Sequence, residues 1–520
     1  MQRYRILWVD DEIELLKPYV LFLREKGFDV KTFNNPFSLL DHIKIDKKVD
    51  VILLDENMPG LTGIGVLNEI NKINSFLPVI MITKNEEENI MNEAIGNKIS
   101  DYLIKPLNPN QIFISIKRVL ENNKIVSENL KSKFTNVFSE ISNSINKNMN
   151  YNEWIELYEK ITLWEIELDK YSDENLFLTI KHLKEEANFY FFEFIKKNYQ
   201  SWLSDSLNDS PLMSHNIMKE LVFPKLINEE KVFFILIDNL RLDQWLVLKP
   251  LILESFLIHT EGLYCSILPT TTEYARNSIF SSLLPLELSD IEKDLWVGEG
   301  NNLSGKNNSE YDLLSRNLLR ENIDIKFSYS KIINHDDGKR LLRNLPSFKK
   351  NHLNVIVFNF VDMLSHARTE MEMIKNLAYD ESSYRSLTFS WFTHSVFKKV
   401  MDFLSHNNFK IVLTTDHGTI RVKKPIKIKA DRNTNTNLRY KSGKNLSFNE
   451  KNLFFTREPE KLFLPKQNIS SSYVFANENK FFVYPNNYNA YVKSYKDSFQ
   501  HGGISLEEML VPYSVLESKS

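Results

Sequence analysis

The sequence predicts an α/β protein in which two domains with parallel sheets flank a helical segment. Residues 1–121 alternate short apolar runs with amphipathic helical patterns, which is typical of a doubly wound parallel sheet. Residues 122–205 contain neither Gly nor Pro and show no clear strand pattern, whereas residues 206–520 again contain isolated apolar strands. A chain of 520 residues is too long for one core, so we expect these three segments to be three domains.

The composition excludes several classes of protein. A net charge of −3 at pH 7 argues against a generally basic nucleic-acid coat protein. The single cysteine, Cys265, excludes an internal disulfide framework and a multi-cysteine metal site. No apolar run approaches the ~20 residues that span a bilayer, and acidic residues stand where a signal peptide has its apolar core. We therefore expect a cytoplasmic protein that does not insert into a membrane.

In the first domain, polar residues that can bind a cation and a phosphoryl group follow the predicted strands. Five strands are predicted, at about residues 4–9, 29–32, 49–54, 78–82 and 101–104. Asp10 and Asp11 follow the first strand and Asp55 follows the third; three neighbouring carboxylates repel one another unless a cation joins them, which predicts a Mg²⁺ site. Thr83 and Lys105 follow the last two strands, where a hydroxyl and an ammonium can hold a phosphoryl group on Asp55.

The motifs VDDE, LLDENMPG, ITK and KPL, in this order, resemble the receiver domain of two-component response regulators. The resemblance implies a flavodoxin-like sheet of five parallel strands. It also implies phosphorylation at Asp55, Mg²⁺ bound by Asp10, Asp11 and Asp55, and a switch through Thr83 and Tyr102. The alternative is a flavodoxin-like domain whose acidic loops bind nothing.

Apolar residues recur at spacings of three and four within residues 122–205, as in amphipathic helices. One such pattern runs from Trp154 to Tyr171 and another from Leu176 to Phe194, and an earlier helix is predicted from about Phe134 to Ile145. Three helices predict a small bundle that connects the flanking domains mechanically. No basic recognition helix is evident, which disfavours a direct DNA-reading output.

In the third domain, Asp and His residues lie at predicted strand ends or glycine turns. Strands are predicted at about residues 231–237, 354–361 and 409–415. The candidate metal ligands are Asp238, Asp362, His366, Asp416, His417 and His501. Oxygen and nitrogen ligands without a thiolate suit Zn²⁺ or, less selectively, Mn²⁺. Each residue alone has an ordinary structural explanation, but two sets of three predict a dinuclear site that activates a hydroxyl nucleophile.

The stretch LPTTTEYARN, residues 268–277, contains the candidate nucleophile. A free Thr hydroxyl is a poor nucleophile, and coordination to a metal makes it useful near neutral pH. Thr270, Thr271 and Thr272 are all available for this role on sequence grounds.

A basic stretch, residues 421–444, follows the Asp416–His417 pair closely and contains nine Lys or Arg residues. We expect a flexible loop that gathers a phosphodiester backbone, with Tyr440 stacking on a base. The alternative is a solvated insertion without a role.

The order Asp, Thr, Asp-x₃-His, Asp-His-Gly and His-Gly-Gly resembles the alkaline phosphatase superfamily, specifically its PglZ branch, from about residue 229 onward. The tail HGGISLEEMLVP is an especially specific part of the resemblance. The two implied zinc sites consist of Asp362, His366 and His501, and of Asp238, Asp416 and His417. The resemblance further implies Thr272 as the bridging nucleophile, with Thr271 as the reserve choice. It implies that Asn239 and Arg276 contact substrate oxygens.

A receiver, a helical bundle and a PglZ domain in one chain resemble response regulators of the type IX secretion system in Bacteroidota. This resemblance implies a di-zinc phosphodiesterase for cyclic and linear oligonucleotides. It implies stimulation by receiver phosphorylation and dimerisation. We expect phosphorylation of Asp55 to favour a dimer through the fourth-helix and fifth-strand face of the receiver. A sensor histidine kinase, a sigma factor and the secretion motor are the implied partners. The rivals are a metal-stabilised signalling scaffold without essential catalysis, and a phosphomonoesterase or phosphomutase.

Overall fold

The computed structural model divides into two compact units, one formed by residues 1–139 and 168–176 and the other by residues 140–167 and 177–520. The residues that the structure describes are 4–46, 48–73, 77–84, 99–146, 148–169, 174–204, 210–296, 309–371, 374, 378, 380–431, 434–466 and 468–519.

The first unit contains a five-stranded parallel sheet, which confirms the predicted flavodoxin-like α/β fold. Its strands are β1 Arg5–Val9, β2 Asp29–Phe33, β3 Val51–Asp55, β4 Val79–Thr83 and β5 Asp101–Ile104. Their order in the sheet is β2-β1-β3-β4-β5. The central strands are apolar and buried, with one hydrophobic cluster on each face of the sheet, as parallel sheets require.

Short helices cover this sheet. They are the 3₁₀ turn Ile13–Leu16, α1 Lys17–Glu25, α2 Pro36–Ile45 and α3 Gly63–Ile73. Asn35 caps the N-terminus of helix α2, because its side chain accepts a hydrogen bond from the backbone N–H of Ser38, and Pro36 stands in the first turn. The fourth helix of the receiver, to which we assigned part of a dimer face, lies outside the described residues.

Three long helices follow: α4 Pro109–Ser144, α5 Tyr151–Leu168 and α6 Glu174–Leu203. The prediction of a separate helix beginning near Phe134 is wrong, because α4 is continuous from Pro109; no Gly or Pro interrupts it. The expected boundary at residues 121/122 therefore falls within a helix. Trp154 of α5 packs edge-on against Phe191 of α6 at 5.5 Å, as the apolar pattern predicts. Tyr171 lies outside the described residues.

A six-stranded sheet forms the centre of the second unit and brings the candidate ligands to one edge. Its strands, in spatial order, are β7 Phe256–Cys265, β19 Leu510–Ser518, β10 Lys410–Thr414, β6 Val232–Ile237, β9 Leu353–Phe358 and β8 Phe327–Ile332. Strands β10, β6, β9 and β8 run parallel. Ile237 pairs with Phe358, and Thr414 pairs with Leu236, so three carboxyl ends lie side by side.

Helices surround this sheet. They are α7 Phe223–Ile227, α8 Leu242–Leu253, α9 Asn277–Ser281, α10 Pro285–Ile291, α11 Glu310–Arg320, α12 His335–Phe348, α13 Phe360–Glu370, α14 Glu381–His394, α15 Val396–Ser405, α16 Tyr488–Tyr495 and α17 Leu506–Met509. Shorter 3₁₀ or π turns span Ser214–Asn216, Met218–Val222, Thr272–Arg276 and Pro459–Leu462. Among the described helices, none combines the length and apolar character that crossing a lipid bilayer requires.

Small sheets occupy the stretch between β10 and α17. They comprise β11 Ile420–Arg421, β12 Lys424–Lys429, β13 Tyr440–Gly443, β14 Ser447–Phe448, β15 Phe454–Thr456, β16 Ser472–Phe475, β17 Lys480–Val483 and β18 Phe499–Gln500. The expectation of a flexible loop over residues 421–444 is wrong, because this stretch contains β12 and β13. Tyr440 is buried against Phe475 and Tyr274, so its ring is not available to a nucleotide base.

Candidate metal centres

The second unit brings the six candidate ligands together in two groups of three. Within each group, one possible ligand atom from each residue lies within 4.8 Å of the others. The first group is Asp362, His366 and His501, and the second is Asp238, Asp416 and His417. The second group is fully buried, whereas the imidazole of His366 is 62% exposed. The first group is therefore partly accessible to solvent, whereas the second is not.

The carboxyl ends of the parallel strands position the second group. Asp238 follows β6 directly, and Asp416 and His417 follow β10. Asp362 differs from the prediction, because β9 ends at Phe358 and Asp362 lies in the first turn of α13. His366 then follows one helical turn later, with Nε2 3.4 Å from Asp362 Oδ2.

Asn239 connects the two groups. Its backbone adopts a left-handed conformation with φ 64°, which favours Asn or Gly. The backbone N–H donates to Asp416 Oδ1 at 3.2 Å, and the side-chain Nδ2 donates to Asp362 Oδ1 at 3.1 Å. Asn239 is buried. This residue, which was predicted to contact substrate, donates a hydrogen bond to one carboxylate of each group.

Two histidines present their Nε2 lone pairs to the centre. His417 Nδ1 lies 3.2 Å from the Gly418 carbonyl oxygen, and His501 Nδ1 lies 3.2 Å from the Thr270 carbonyl oxygen. Because a carbonyl oxygen only accepts hydrogen bonds, Nδ1 carries a proton in each ring, which leaves Nε2 as the ring atom that can bind a cation. Burial and the neighbouring His417 lower the pKa of His501 to about 3, so its imidazole is neutral near pH 7.

The three threonines of the 268–277 stretch have different surroundings. Thr272 Oγ1 lies 3.2 Å from His417 Nε2, beside the second group. Thr270 Oγ1 donates to the Gly503 carbonyl oxygen at 3.0 Å. Thr271 Oγ1 is buried without a hydrogen-bond partner. Of the three hydroxyls, only that of Thr272 is placed against a candidate ligand by these contacts.

Arg276 lies between the two carboxylates of the second group. It is inaccessible to solvent, its Nε donates to Asp416 Oδ2 at 2.9 Å, and its Nη2 is 2.5 Å from Asp238 Oδ2. Burial alone would raise the pKa of Asp416, but Arg276 and His417 hold it below its usual value. The structure thus places Arg276, predicted as a substrate contact, against the carboxylates.

The donor set fits a divalent cation in each group. Burial raises the pKa of Asp238 well above its usual value; Arg276 opposes this shift, and the nearby Asp416 adds to it. Asp238 Oδ1 is buried without a hydrogen-bond partner. An unpartnered buried carboxylate oxygen beside a second carboxylate and an imidazole is a donor set that suits a divalent cation.

Sequence reasoning missed several supporting residues. Asn359 Nδ2 donates to Asp238 Oδ2 at 2.7 Å. Asp238 was predicted because it directly follows a buried strand, and the same reasoning applies to Asn359, which directly follows β9. Glu310 Oε1 lies 3.6 Å from Arg276 Nη1 and 2.8 Å from Lys331 Nζ. No sequence signal marks Glu310, because a Glu at a helix start is usually exposed.

The first unit contains a third group of candidate metal ligands, formed by three aspartates. Possible ligand atoms of Asp10, Asp11 and Asp55 lie within 4.8 Å of one another. Lys105 Nζ is 2.8 Å from both Asp10 Oδ2 and Asp55 Oδ1. Burial raises the pKa of Asp55, Lys105 opposes the shift, and Asp10 adds to it. This arrangement suits a carboxylate that binds a cation and accepts a phosphoryl group.

The two predicted switch residues of the first unit lie on neighbouring strands. Thr83 is buried at the end of β4, and its backbone carbonyl accepts a hydrogen bond from the Lys105 N–H at 2.8 Å. Tyr102 on β5 is partly exposed, which leaves its ring accessible from solvent.

Comparison with known families divides the chain into three matched segments. The model of the BREX system PglZ alkaline phosphatase-like domain matches residues 217–516. The response regulator receiver domain matches residues 6–117. The PorX response regulator linker domain matches residues 124–203.

Two curated relatives each match about a quarter of the chain. The CpxR homolog of Haemophilus influenzae, a transcriptional regulatory protein, is 35% identical over 130 residues, which is 25% of this chain and 55% of the relative. The transcriptional regulatory protein CreB of Escherichia coli is 30% identical over 127 residues, or 24% of this chain and 54% of the relative. The chain thus spans about half the length of these two relatives.

Solved structures of receiver domains match a similar share of the chain. A receiver domain protein from Clostridium thermocellum shares 27% identity and covers 24% of this chain and 98% of its own, with a TM-score of 0.23. The chemotaxis response regulator CheY4 of Vibrio cholerae shares 26% identity, with coverage of 23% and 100% and a TM-score of 0.22.

Proposed function

Because the chain belongs to the PglZ family of alkaline-phosphatase-like domains, joined here to a receiver as in PorX-like response regulators, we propose a phosphorylation-controlled di-zinc phosphodiesterase. An alkaline-phosphatase-like domain indicates a phosphoesterase hydrolase, and both families generally depend on metal ions. The proposed substrates are cyclic and linear oligonucleotides. The supporting observation is the pair of three-residue donor groups, of which the second includes His417, whose Nε2 lies 3.2 Å from the Thr272 hydroxyl.

The chain's own residues fit such a reaction. Two zinc ions, when bound, supply positive charge that stabilises the developing negative charge on a phosphate ester. Thr272 Oγ1 loses its proton to solvent and forms a bond to phosphorus as the bond to the leaving oxygen breaks, and the leaving oxygen takes up a proton. Water then attacks phosphorus and breaks the bond to Thr272 Oγ1, which regains its proton. The Thr270 and Gly418 carbonyl oxygens fix the tautomers of His501 and His417. Asn239 and Arg276 keep the carboxylates oriented.

Two threonine variants test the mechanism. Thr272→Val removes the proposed nucleophile while preserving side-chain shape, and Thr271→Val is the matched control. We expect Thr272→Val to lose at least about 1,000-fold in turnover of bis-nitrophenyl phosphate and a short oligonucleotide. Thr271→Val should remain near wild type, and both variants should bind two zinc ions. Retained turnover by Thr272→Val would refute the mechanism.

A nitrophenyl monoester separates the proposed activity from its closest rival. A phosphodiesterase cleaves the bis-nitrophenyl diester faster, whereas a phosphomonoesterase prefers the monoester. Exposed lysines along β12, Lys424, Lys427 and Lys429, support an anionic polymer as substrate. Activity on the oligonucleotide should therefore fall steeply with salt, and activity on the small diester should fall much less. Equal salt dependence would remove these lysines from substrate binding.

The receiver supplies the proposed control. A sensor histidine kinase would phosphorylate Asp55 with Mg²⁺ held by Asp10, Asp11 and Asp55, and phosphorylation would favour a dimer. A sigma factor and the type IX secretion motor are the proposed further partners. Acetyl phosphate with Mg²⁺ should raise both the turnover rate and the dimer fraction of the wild-type protein. Unchanged turnover after verified phosphorylation would contradict this control.

A further inference from the structure

The C-terminal segment that carries His501 ends in two adjacent buried glutamates with different partners. Glu508 faces its own loop, where it accepts a hydrogen bond from the Gly503 N–H at 2.9 Å and pairs with Arg439 Nη2 at 2.6 Å. Glu507 faces helix α6 instead. A buried carboxylate needs hydrogen-bond or ionic partners. The partners of Glu507 come from helix α6.

Helix α6 holds this segment through an asparagine and a lysine. Asn188 Nδ2 donates to Glu507 Oε2 at 3.0 Å, and Asn188 Oδ1 accepts from the Leu506 N–H at 2.8 Å. Lys184 Nζ lies 3.1 Å from Glu507 Oε1. One helix face therefore fixes both the backbone and the side chain of this segment.

Lys184 is a buried cation shared by three carboxylates. Besides Glu507, its Nζ lies 2.8 Å from Glu165 on helix α5 and 3.7 Å from Glu381 on helix α14. Removing one partner of such a buried network leaves uncompensated buried charge, which is strongly destabilising. The position of Glu507 therefore depends on Lys184.

The backbone of Glu507 and Glu508 supports the ligand-bearing turn after β10. The Gly418 N–H donates to the Glu508 carbonyl oxygen at 3.2 Å. A Cβ atom added at Gly418 would overlap the Glu507 carbonyl oxygen, so the two backbones are in close contact. A displacement of the Glu507 backbone would therefore also displace Gly418 and His417, the residue immediately before it.

The same network also contacts segments leading to the other candidate ligands. Glu381 lies 3.4 Å from Arg241 Nη1, and Arg241 follows Asp238 by three residues. The Arg241 guanidinium lies over the Phe499 ring at 5.1 Å, two residues before His501. Segments that carry ligands of both groups therefore converge on one buried charge network.

We infer that Lys184 and Asn188 are positioning residues of the metal centre, acting through Glu507 on the turn that carries His417. They touch none of the candidate ligands and act by holding the segment against which that turn packs. This inference rests on the proposed metal-dependent function, but its first consequence is metal affinity, which requires no turnover.

Four variants of the full-length protein test the inference. Lys184→Met removes the charge, Lys184→Arg retains it, and Asn188→Ala removes the second contact without adding buried charge. Lys181→Met is the matched control, since Lys181 lies one turn earlier on helix α6 and faces Lys423 and Arg421. Zinc affinity is measured by competition with a chromophoric chelator, kcat and KM with the small diester, and folding by circular dichroism.

We expect Lys184→Met and Asn188→Ala to weaken zinc binding about 10- to 100-fold. Their kcat should fall with KM nearly unchanged, because the substrate contacts remain. Lys184→Arg should recover most of the affinity, and Lys181→Met should match wild type. If Lys184→Met does not fold, Asn188→Ala decides. A folded variant with wild-type zinc affinity overturns the inference, whereas a wild-type protein that binds zinc but cleaves no diester overturns only the proposed function.

Discussion

Gly503→Ala is predicted to damage the metal centre through a single added methyl group. An ideal Cβ at this position would lie 2.5 Å from the Ala476 carbonyl oxygen and 2.8 Å from Arg439 Nη2. The first distance is about 0.9 Å short of the 3.4 Å at which ordinary contact begins. Neither neighbour moves easily, because one is backbone and the other is a buried guanidinium paired with Glu508.

The resulting displacement passes to the catalytic groups. The Gly503 carbonyl oxygen accepts a hydrogen bond from Thr270 Oγ1 at 3.0 Å, and His501 lies two residues earlier. Misplacement of a reacting group by about 1 Å costs roughly 100-fold in rate, so we expect a loss of that size in kcat. The overpacking should also cost about 1–3 kcal/mol in the free energy of unfolding.

The assay compares turnover of bis-nitrophenyl phosphate by folded wild-type and variant proteins at saturating zinc. Gly262→Ala on β7 is the control, because the three atoms nearest to its added Cβ all belong to the side chain of Tyr513 on β19, the nearest at 3.0 Å, and none belongs to the backbone. The control should retain wild-type kcat. A folded Gly503→Ala protein with kcat within about threefold of wild type would refute this reasoning.

Three further perturbations give distinct readouts. Asp55→Asn should abolish stimulation by acetyl phosphate while basal turnover persists; stimulation that survives would place the phosphoacceptor elsewhere. Burial raises the pKa of Glu165 to about 7, with Lys184 opposing and Glu381 adding to the shift. The folded protein then keeps a proton that the unfolded chain releases above pH 4.5, so the free energy of unfolding should fall by up to about 1.4 kcal/mol per pH unit between pH 4.5 and 7. Urea titrations at pH 5.5 and 7.5 should show this decrease in wild type and lose it in Glu165→Gln; an equal decrease in both would contradict the assignment. Arg276→Met should lower zinc affinity about 10- to 100-fold, and unchanged affinity in the folded variant would show that Arg276 does not support the carboxylates.

The rule that polar residues directly after buried parallel strands belong to the site located much of the candidate centre, because it depends only on local sequence. The run KVFFILI is continuous and apolar, so the polar residue that follows it, Asp238, marks the sheet edge. The same rule misplaced Asp362, because NVIVFNFV stays mostly apolar through the change from β9 to α13. Apolar runs do not distinguish a buried strand from the first turn of a buried helix.

Other features required the folded chain. The alternation of Lys427 and Lys429 with Ile426 and Ile428 is a strand pattern, but the high lysine content favoured a loop interpretation. Nothing in LPTTTEYARN indicates that Arg276 is buried between the carboxylates of Asp238 and Asp416. Burial of that kind depends on contacts between segments far apart in sequence, such as β6, β10 and α11.

Diffraction from crystals of the zinc-loaded protein, measured at the zinc absorption edge, tests the central claim most directly. We predict two anomalous peaks about 4 Å apart, one beside Asp362, His366 and His501 and the other beside Asp238, Asp416 and His417, with Thr272 Oγ1 adjacent to them. A single peak, peaks away from these side chains, or a Thr272 hydroxyl directed away from both would contradict the account.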